Sequence, residues 1–192
     1  MKTVLAALIA LFVTDAVAQT VTSVKTPLDL DKCRHKESDV PEDYGDWRCK
    51  GHGGIAVYVT AGDQRTYMSF GRTPKKELAV KQTLAAFNGN GDAIEWRGET
   101  KAGKFRPYAA IVHFSVTLDR AGEKTEGEMI VIYRLPPGGS CQVGFVDAKA
   151  NKDADDLARK IADEHARTFK CVPGTHPIFL GEKGPGFTGP YD

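Results

Sequence analysis

Between Ile55 and Phe70 the chain alternates apolar and polar side chains on either side of a turn signal. Ile55, Val57 and Val59 alternate with Ala56, Tyr58 and Thr60, the two-residue period of a half-buried strand. Ala61-Gly62-Asp63 reads as the turn, because glycine takes positive φ without steric cost and aspartate tolerates a tight bend. Tyr67 to Phe70 resume the strand, so the stretch predicts a β-hairpin. A cysteine (Cys49) and a glycine-rich bend (Gly51-His52-Gly53-Gly54) lead into it.

The later chain carries the same period. Phe105 to Leu118 is the longest alternating run, with Tyr108, Ala110, Val112, Phe114, Val116 and Leu118 on one face and Ala109, Ile111, His113, Ser115 and Thr117 on the other. Ala93 to Arg97 predicts a short strand before it. Asp119 to Gly127 is read as a charged connection. Met129, Val131, Tyr133 and Leu135, opposite Ile130 and Ile132, predict the next strand; Pro136-Pro137-Gly138-Gly139 turns the chain, and Cys141 to Asp147 follows as a final strand. Two helices are expected. Thr73-Pro74 resembles an N-cap and first helical position, with Val80, Leu84 and Phe87 at helical spacing and Asn88-Gly89-Asn90-Gly91 as the stop. Asn151 to Lys170 carries a second stripe of Ala154, Leu157, Ala158, Ile161, Ala162, His165 and Phe169, with acids in its first turn where the helix dipole favours them. Strands joined by short connections predict an α+β fold: one antiparallel sheet of about six strands covered by two helices. The expected organisation is a flexible leader over residues 19–32, a single domain over 33–171, and a Pro/Gly-rich tail without a core over 172–192.

Met1-Lys2, the apolar run Val4 to Val13 and Ala16-Val17-Ala18 have the pattern of a signal peptide cleaved after Ala18. The apolar run is too short to span a bilayer. The four cysteines, Cys33, Cys49, Cys141 and Cys171, then predict disulfides in a periplasmic or secreted protein. Three pairings are open, and proximity in sequence favours Cys33–Cys49 with Cys141–Cys171. A formal charge of +1, with Lys and Arg scattered among Asp and Glu, leaves no footprint for nucleic acid or an anionic membrane. No C-x-x-C or H-x-x-x-H spacing occurs, so neither metal nor cofactor is expected.

No complete catalytic constellation stands out. Ser69 precedes a bend, and His52 or His113 would be its partner in a hydrolase, but the nucleophile elbow needs glycine two positions before the serine and Tyr67 stands there. Asn151, Asp153 and Asp155 match the start of a calcium loop, yet Asp156 and Ala162 occupy its glycine and glutamate positions; helix capping accounts for these acids. Asp92, Glu95 and Glu99 read as surface charge, and His165 as a residue at the helix rim. The remaining signal is aromatic and basic: Trp47, Arg48, His52 and Arg65, with Tyr58, Tyr67 and Trp96 nearby in sequence, are residue types that dominate protein interfaces.

The run W-R-C-K-G-H-G-G-I-A-V-Y-V from Trp47, followed by G-D-Q-R-T-Y-M-S-F-G, resembles a group of secreted bacterial proteins with no assigned activity. Ile94-Glu95-Trp96-Arg97, Cys141 and the helix leading to Cys171 extend the resemblance over most of residues 33–171. It implies a periplasmic protein. The cysteine-then-strand opening also resembles bacterial lysozyme inhibitors of the C-type-inhibitor group, although their serine-glycine loop motif is missing here. The expectation is a non-enzymatic binding module that engages another protein of the cell envelope.

Overall fold

The computed structural model describes residues 20–40 and 43–191, so the expected signal peptide lies outside the described residues. In chain order the first strands are Thr20–Pro27 (β1), Arg34–Lys36 (β2), Asp43–Lys50 (β3), Ala56–Gly62 (β4), Arg65–Gly71 (β5), Thr83–Leu84 (β6) and Phe87–Asn90 (β7). Ala93–Lys101 (β8), Lys104–Arg120 (β9), Glu123–Arg134 (β10) and Gln142–Asp147 (β11) follow. One α-helix, Ala154–His165 (α1), precedes Ile178–Phe179 (β12) and Pro190–Tyr191 (β13). The fold is therefore mostly β, with one α-helix among the described residues where two were expected.

The strands form a seven-stranded sheet ordered β1-β8-β9-β10-β11-β12, with β7 also paired to β9, a four-stranded sheet ordered β2-β3-β4-β5, and the small pair β13-β6. All pairs are antiparallel except β11 with β12. The predicted hairpin forms as β4 and β5, with its turn one step later than expected. Gly62 pairs with Arg65, and Asp63 and Gln64 make the two-residue loop at φ 46° and 55°. Positive φ at both loop positions gives the twist that matches the flanking strands.

Alternation in β9 and β10 feeds two cores. Ala110, Val112, Phe114, Met129, Val131 and Tyr133 pack with Val57, Val59, Met68 and Phe70, so the two sheets face each other. Ala109, Ile111, Ile130 and Ile132 pack with Ala158, Ile161 and Ala162 of α1 on the opposite face. Tyr108 breaks the expected alternation and joins the helix side. The register shifts between Arg97 and Gly98, so Tyr108 has no partner in the ladder and lies on the same side as Ala109. Gly98 is required there: a Cβ would sit 2.5 Å from the Arg106 carbonyl oxygen and 2.7 Å from Pro107 Cα.

The expected helix after Thr73 does not form. Two short 3-10 turns, Pro74–Lys76 and Leu78–Lys81, give way to β6 and β7, and Thr73 makes no side-chain cap. An isolated helix of that length is marginal, and tertiary partners take its backbone instead. The Ala79 N–H donates to the Ser140 carbonyl (2.9 Å), Leu84 pairs with Pro190, and Asn88-Gly89-Asn90, the supposed stop, pairs with β9.

Both ends of the chain also depart from expectation. The leader is strand β1, paired with β8 over eight residues, and Trp96 Nε1 donates to Thr26 Oγ1 (2.8 Å). The tail supplies β12 and β13, and Phe179 and Phe187 pack against the core. Asn151, from the calcium-like run, instead holds the tail, bonding the Glu182 N–H and carbonyl (2.8 and 2.9 Å).

Glu95 ties three elements together, contrary to the surface role expected of it. It is 6% exposed. Arg159 of α1 donates to it through Nε and Nη2 (2.7 and 3.0 Å), and Ser23 of β1 through Oγ (2.6 Å). Burial alone would raise its pKa, but these hydrogen bonds outweigh that and hold the carboxyl below its usual range. Beside it, Arg97 forks onto Asp163 (2.8 and 2.7 Å), which also accepts from the Tyr108 hydroxyl (2.6 Å). Burial and that carboxylate push Tyr108 up to about 12.

The disulfides are Cys33–Cys49 and Cys141–Cys171, the pairing that sequence proximity favours. They fit an oxidising compartment. Among the described residues no helix is long and apolar enough to cross a membrane.

Candidate functional site

A cleft of about 720 Å³ opens beside Cys33–Cys49. Its position follows from local chain geometry. Asp29 starts the 3-10 turn Leu30–Lys32 by accepting from the Asp31 N–H (3.2 Å), and the disulfide anchors the end of that turn to β3. The bend His52–Gly54 forms the opposite rim, with Gly53 and Gly54 at positive φ. Gly51 lies so close to Trp96 that a Cβ would meet the indole at 2.6 Å, so the bend sits directly on the core.

Pro27, Leu28, Ile55 and Ala56 give the cleft an apolar lining. Lys32, Arg34, Arg48 and Lys50 surround it, against the single carboxylate of Asp29. That carboxylate is already paired with Lys32 at 2.6 Å. The hydrogen bond to Lys32 holds Asp29 below its usual pKa and raises that of Lys32. Arg48 is steadied by donating from Nη2 to the Arg72 carbonyl (3.3 Å). The cleft thus combines an apolar lining with a surplus of positive charge, a chemistry suited to an acidic, partly apolar ligand.

Of the residues singled out in sequence, the structure brings Cys33, Cys49 and Arg48 to this cleft, together with glycines flanking His52. The His52 ring turns inward, edge-on to Phe105 with centroids 5.2 Å apart, and is half-buried rather than exposed. Trp47 stacks on His35 at 4.6 Å and packs against the core. Arg65 belongs to the β4–β5 turn: it pairs with Asp63 (2.6 Å) and donates to the Ala85 carbonyl. Trp96 and Tyr58 are core residues. Lys32, Arg34 and Lys50 join Arg48 at the cleft without belonging to the aromatic and basic set above, yet the sequence holds a signal for them. Each of Cys33 and Cys49 stands between two basic residues, so pairing the cysteines necessarily gathers four cations.

The hydrolase constellation is not assembled. Ser69 is fully buried and its hydroxyl donates to the Pro74 carbonyl (2.8 Å), so its Oγ does not face solvent. His113 lies on β9 between Glu128 (2.5 Å) and Asp155 (3.0 Å), joining sheet to helix. His165 lies 3.6 Å from Glu164. Among the described residues no group of three or more His, Cys, Asp or Glu side chains is arranged to hold a metal ion. Cys141 and Cys171 lie away from the cleft and tie the segment after α1 to the start of β11.

Fold and cleft together define a disulfide-linked, mostly β protein with a basic, apolar-lined groove beside Cys33–Cys49. No protein-family model matches the chain, and no match is found among the curated proteins or the solved structures.

Proposed function

We propose that this protein is a non-enzymatic binding module of the periplasm or the extracellular space, and that an acidic segment of a partner protein of the cell envelope occupies the Cys33–Cys49 cleft. The observation that carries this reading is the gathering of Lys32, Arg34, Arg48 and Lys50 around an apolar lining whose one carboxylate is already paired. Charge complementarity steers encounter and register, and the apolar contact holds the complex. The buried, engaged hydroxyl of Ser69 is the further support for a binding role over hydrolysis.

The test places a photo-crosslinking residue at Lys50 in the full chain, expressed in intact cells, with the same residue at Arg120 on the β9–β10 hairpin as control. A single partner captured from position 50, absent from position 120 and lost in the Arg34→Glu/Arg48→Glu variant, supports the reading. Capture that is equal from both positions, or insensitive to the charge reversal, refutes it. If the captured protein is a lysozyme, protection in a turbidity assay then measures the inhibitor activity directly.

A further inference from the structure

A second cleft, sharing no lining residue with the first, opens where the β8–β9 bulge, the turn after β10 and the segment following α1 meet. It measures about 330 Å³. Arg106, Arg134 and Arg167 line it against the single carboxylate of Glu99. Glu99 is the cross-strand partner of Arg106 in the ladder, yet its carboxylate pairs with Arg167 at 3.4 Å. Arg106 is exposed, and its guanidinium has no ion-pair or hydrogen-bond partner among the described residues.

The three arginines have different tasks. Arg134 builds the wall, donating to the carbonyls of Phe169 and Pro137 and so holding the post-helix segment against the turn. Arg167 lies 4.1 Å from the centre of the Tyr108 ring, whose hydroxyl is fixed by Asp163. Ring and carboxylate hold Arg167 in place before any ligand arrives, which lowers the entropy lost on binding. Arg106 supplies the uncommitted charge. Pro107, Leu135, Pro136 and Pro137 complete the cleft with apolar surface.

We propose that this cleft binds a small organic carboxylate with a flat apolar body. The carboxylate bridges Arg106 and Arg167, and the body lies against Pro107 and the Pro136–Pro137 turn. A planar guanidinium fork matches a carboxylate in both geometry and charge. The volume lies at the small end for ligand sites. A free acid and the last residue of a peptide present the same chemistry. The proposal does not depend on what occupies the Cys33–Cys49 cleft.

The experiment titrates the isotope-labelled protein, with both disulfides intact, with N-acetyl-phenylalanine and follows backbone and arginine side-chain signals by NMR. Saturable shifts centred on Arg106, Tyr108 and Arg167 are expected. N-acetyl-phenylalaninamide and the Arg106→Gln variant are each expected to bind about tenfold more weakly or worse. Arg106 is exposed and unpaired among the described residues, so its replacement leaves the unfolding midpoint unchanged and isolates the charge. A peptide ending in phenylalanine with a free carboxylate, binding as tightly as the free acid, supports the site and identifies chain ends as its source. Exclusion of that peptide while the free acid binds supports the site and identifies small acids. The absence of saturable shifts, equal binding of the amide, unchanged affinity in Arg106→Gln, or equal binding of inorganic phosphate would overturn the proposal.

Discussion

Replacing Arg159 by methionine tests how the helix and the first strand are locked to the large sheet. The substitution removes two hydrogen bonds and the neutralising charge from Glu95 while keeping the aliphatic stem. Lys25 lies 3.7 Å from the carboxylate but is largely solvated, and Ser23 still donates one hydrogen bond. Removing one partner of a buried pair costs about 3–5 kcal/mol; the surviving serine and lysine contacts place this case near the lower end, about 3 kcal/mol at neutral pH. For a chain of this size that corresponds to a fall in Tm of about 6–12 °C. The pH dependence carries a sign. In the parent protein the folded pKa of Glu95 is depressed, so its contribution is present above the unfolded carboxylate pKa, about 4.3, and is lost as pH falls through the folded value. In the variant, burial acts without the fork and raises the pKa, so protonation on acidification relieves the penalty. The difference between the two proteins is therefore largest at neutral pH and narrows towards about pH 4. Urea unfolding followed by the fluorescence of buried Trp96, with disulfides intact, measures it at both pH values. A loss below about 1 kcal/mol at neutral pH, or a loss independent of pH, would refute the reasoning.

Three further outcomes are expected. Ser69→Ala should lower stability by about 1 kcal/mol, from the lost bond to Pro74, and leave partner capture at the Cys33–Cys49 cleft unchanged; urea unfolding and the crosslinking assay read the two separately. Gly186→Ala should destabilise by about 1–3 kcal/mol, because the new Cβ would lie 2.7 Å from Gly127 Cα, and hydrogen exchange should then rise first in β12 and β13. Replacing Cys141 and Cys171 together by alanine should cost about 3–4 kcal/mol from the reopened loop of 30 residues, measured by thermal unfolding.

Where a signal was local, the sequence carried it. The period of two in Phe105 to Leu118 and Met129 to Leu135 assigned nearly every side chain to its core, since a strand has only two faces. Tyr108 escaped because a bulge depends on the partner strand: Gly98 lets Arg106 and Pro107 approach, and nothing in the run around Tyr108 records that. The absent helix at Thr73 and the ordered ends fail for a related reason. Val80, Leu84 and Phe87 have helical spacing, but long-range pairing with Ser140, Pro190 and β9 satisfied the backbone better than a short helix. Thr20–Pro27 is polar because it is an edge strand with one wet face, and polarity alone does not distinguish that from a leader. At the cleft, the basic residues flanking Cys33 and Cys49 were legible, whereas the inward turn of His52 and the structural tasks of Trp47 and Arg65 were not.

The sequence by itself determined the strand periodicity, the position of α1, the favoured cysteine pairing and the charge around Cys33–Cys49, because each depends on neighbours close along the chain. Only the tertiary structure decided that two sheets stack, that Glu95 is buried among Arg159, Ser23 and Lys25, and that Arg106 is left without a partner among the described residues. Those features depend on which distant segments meet, and the free energy of burial and of pairing backbone groups selects among meetings that local pattern leaves equivalent.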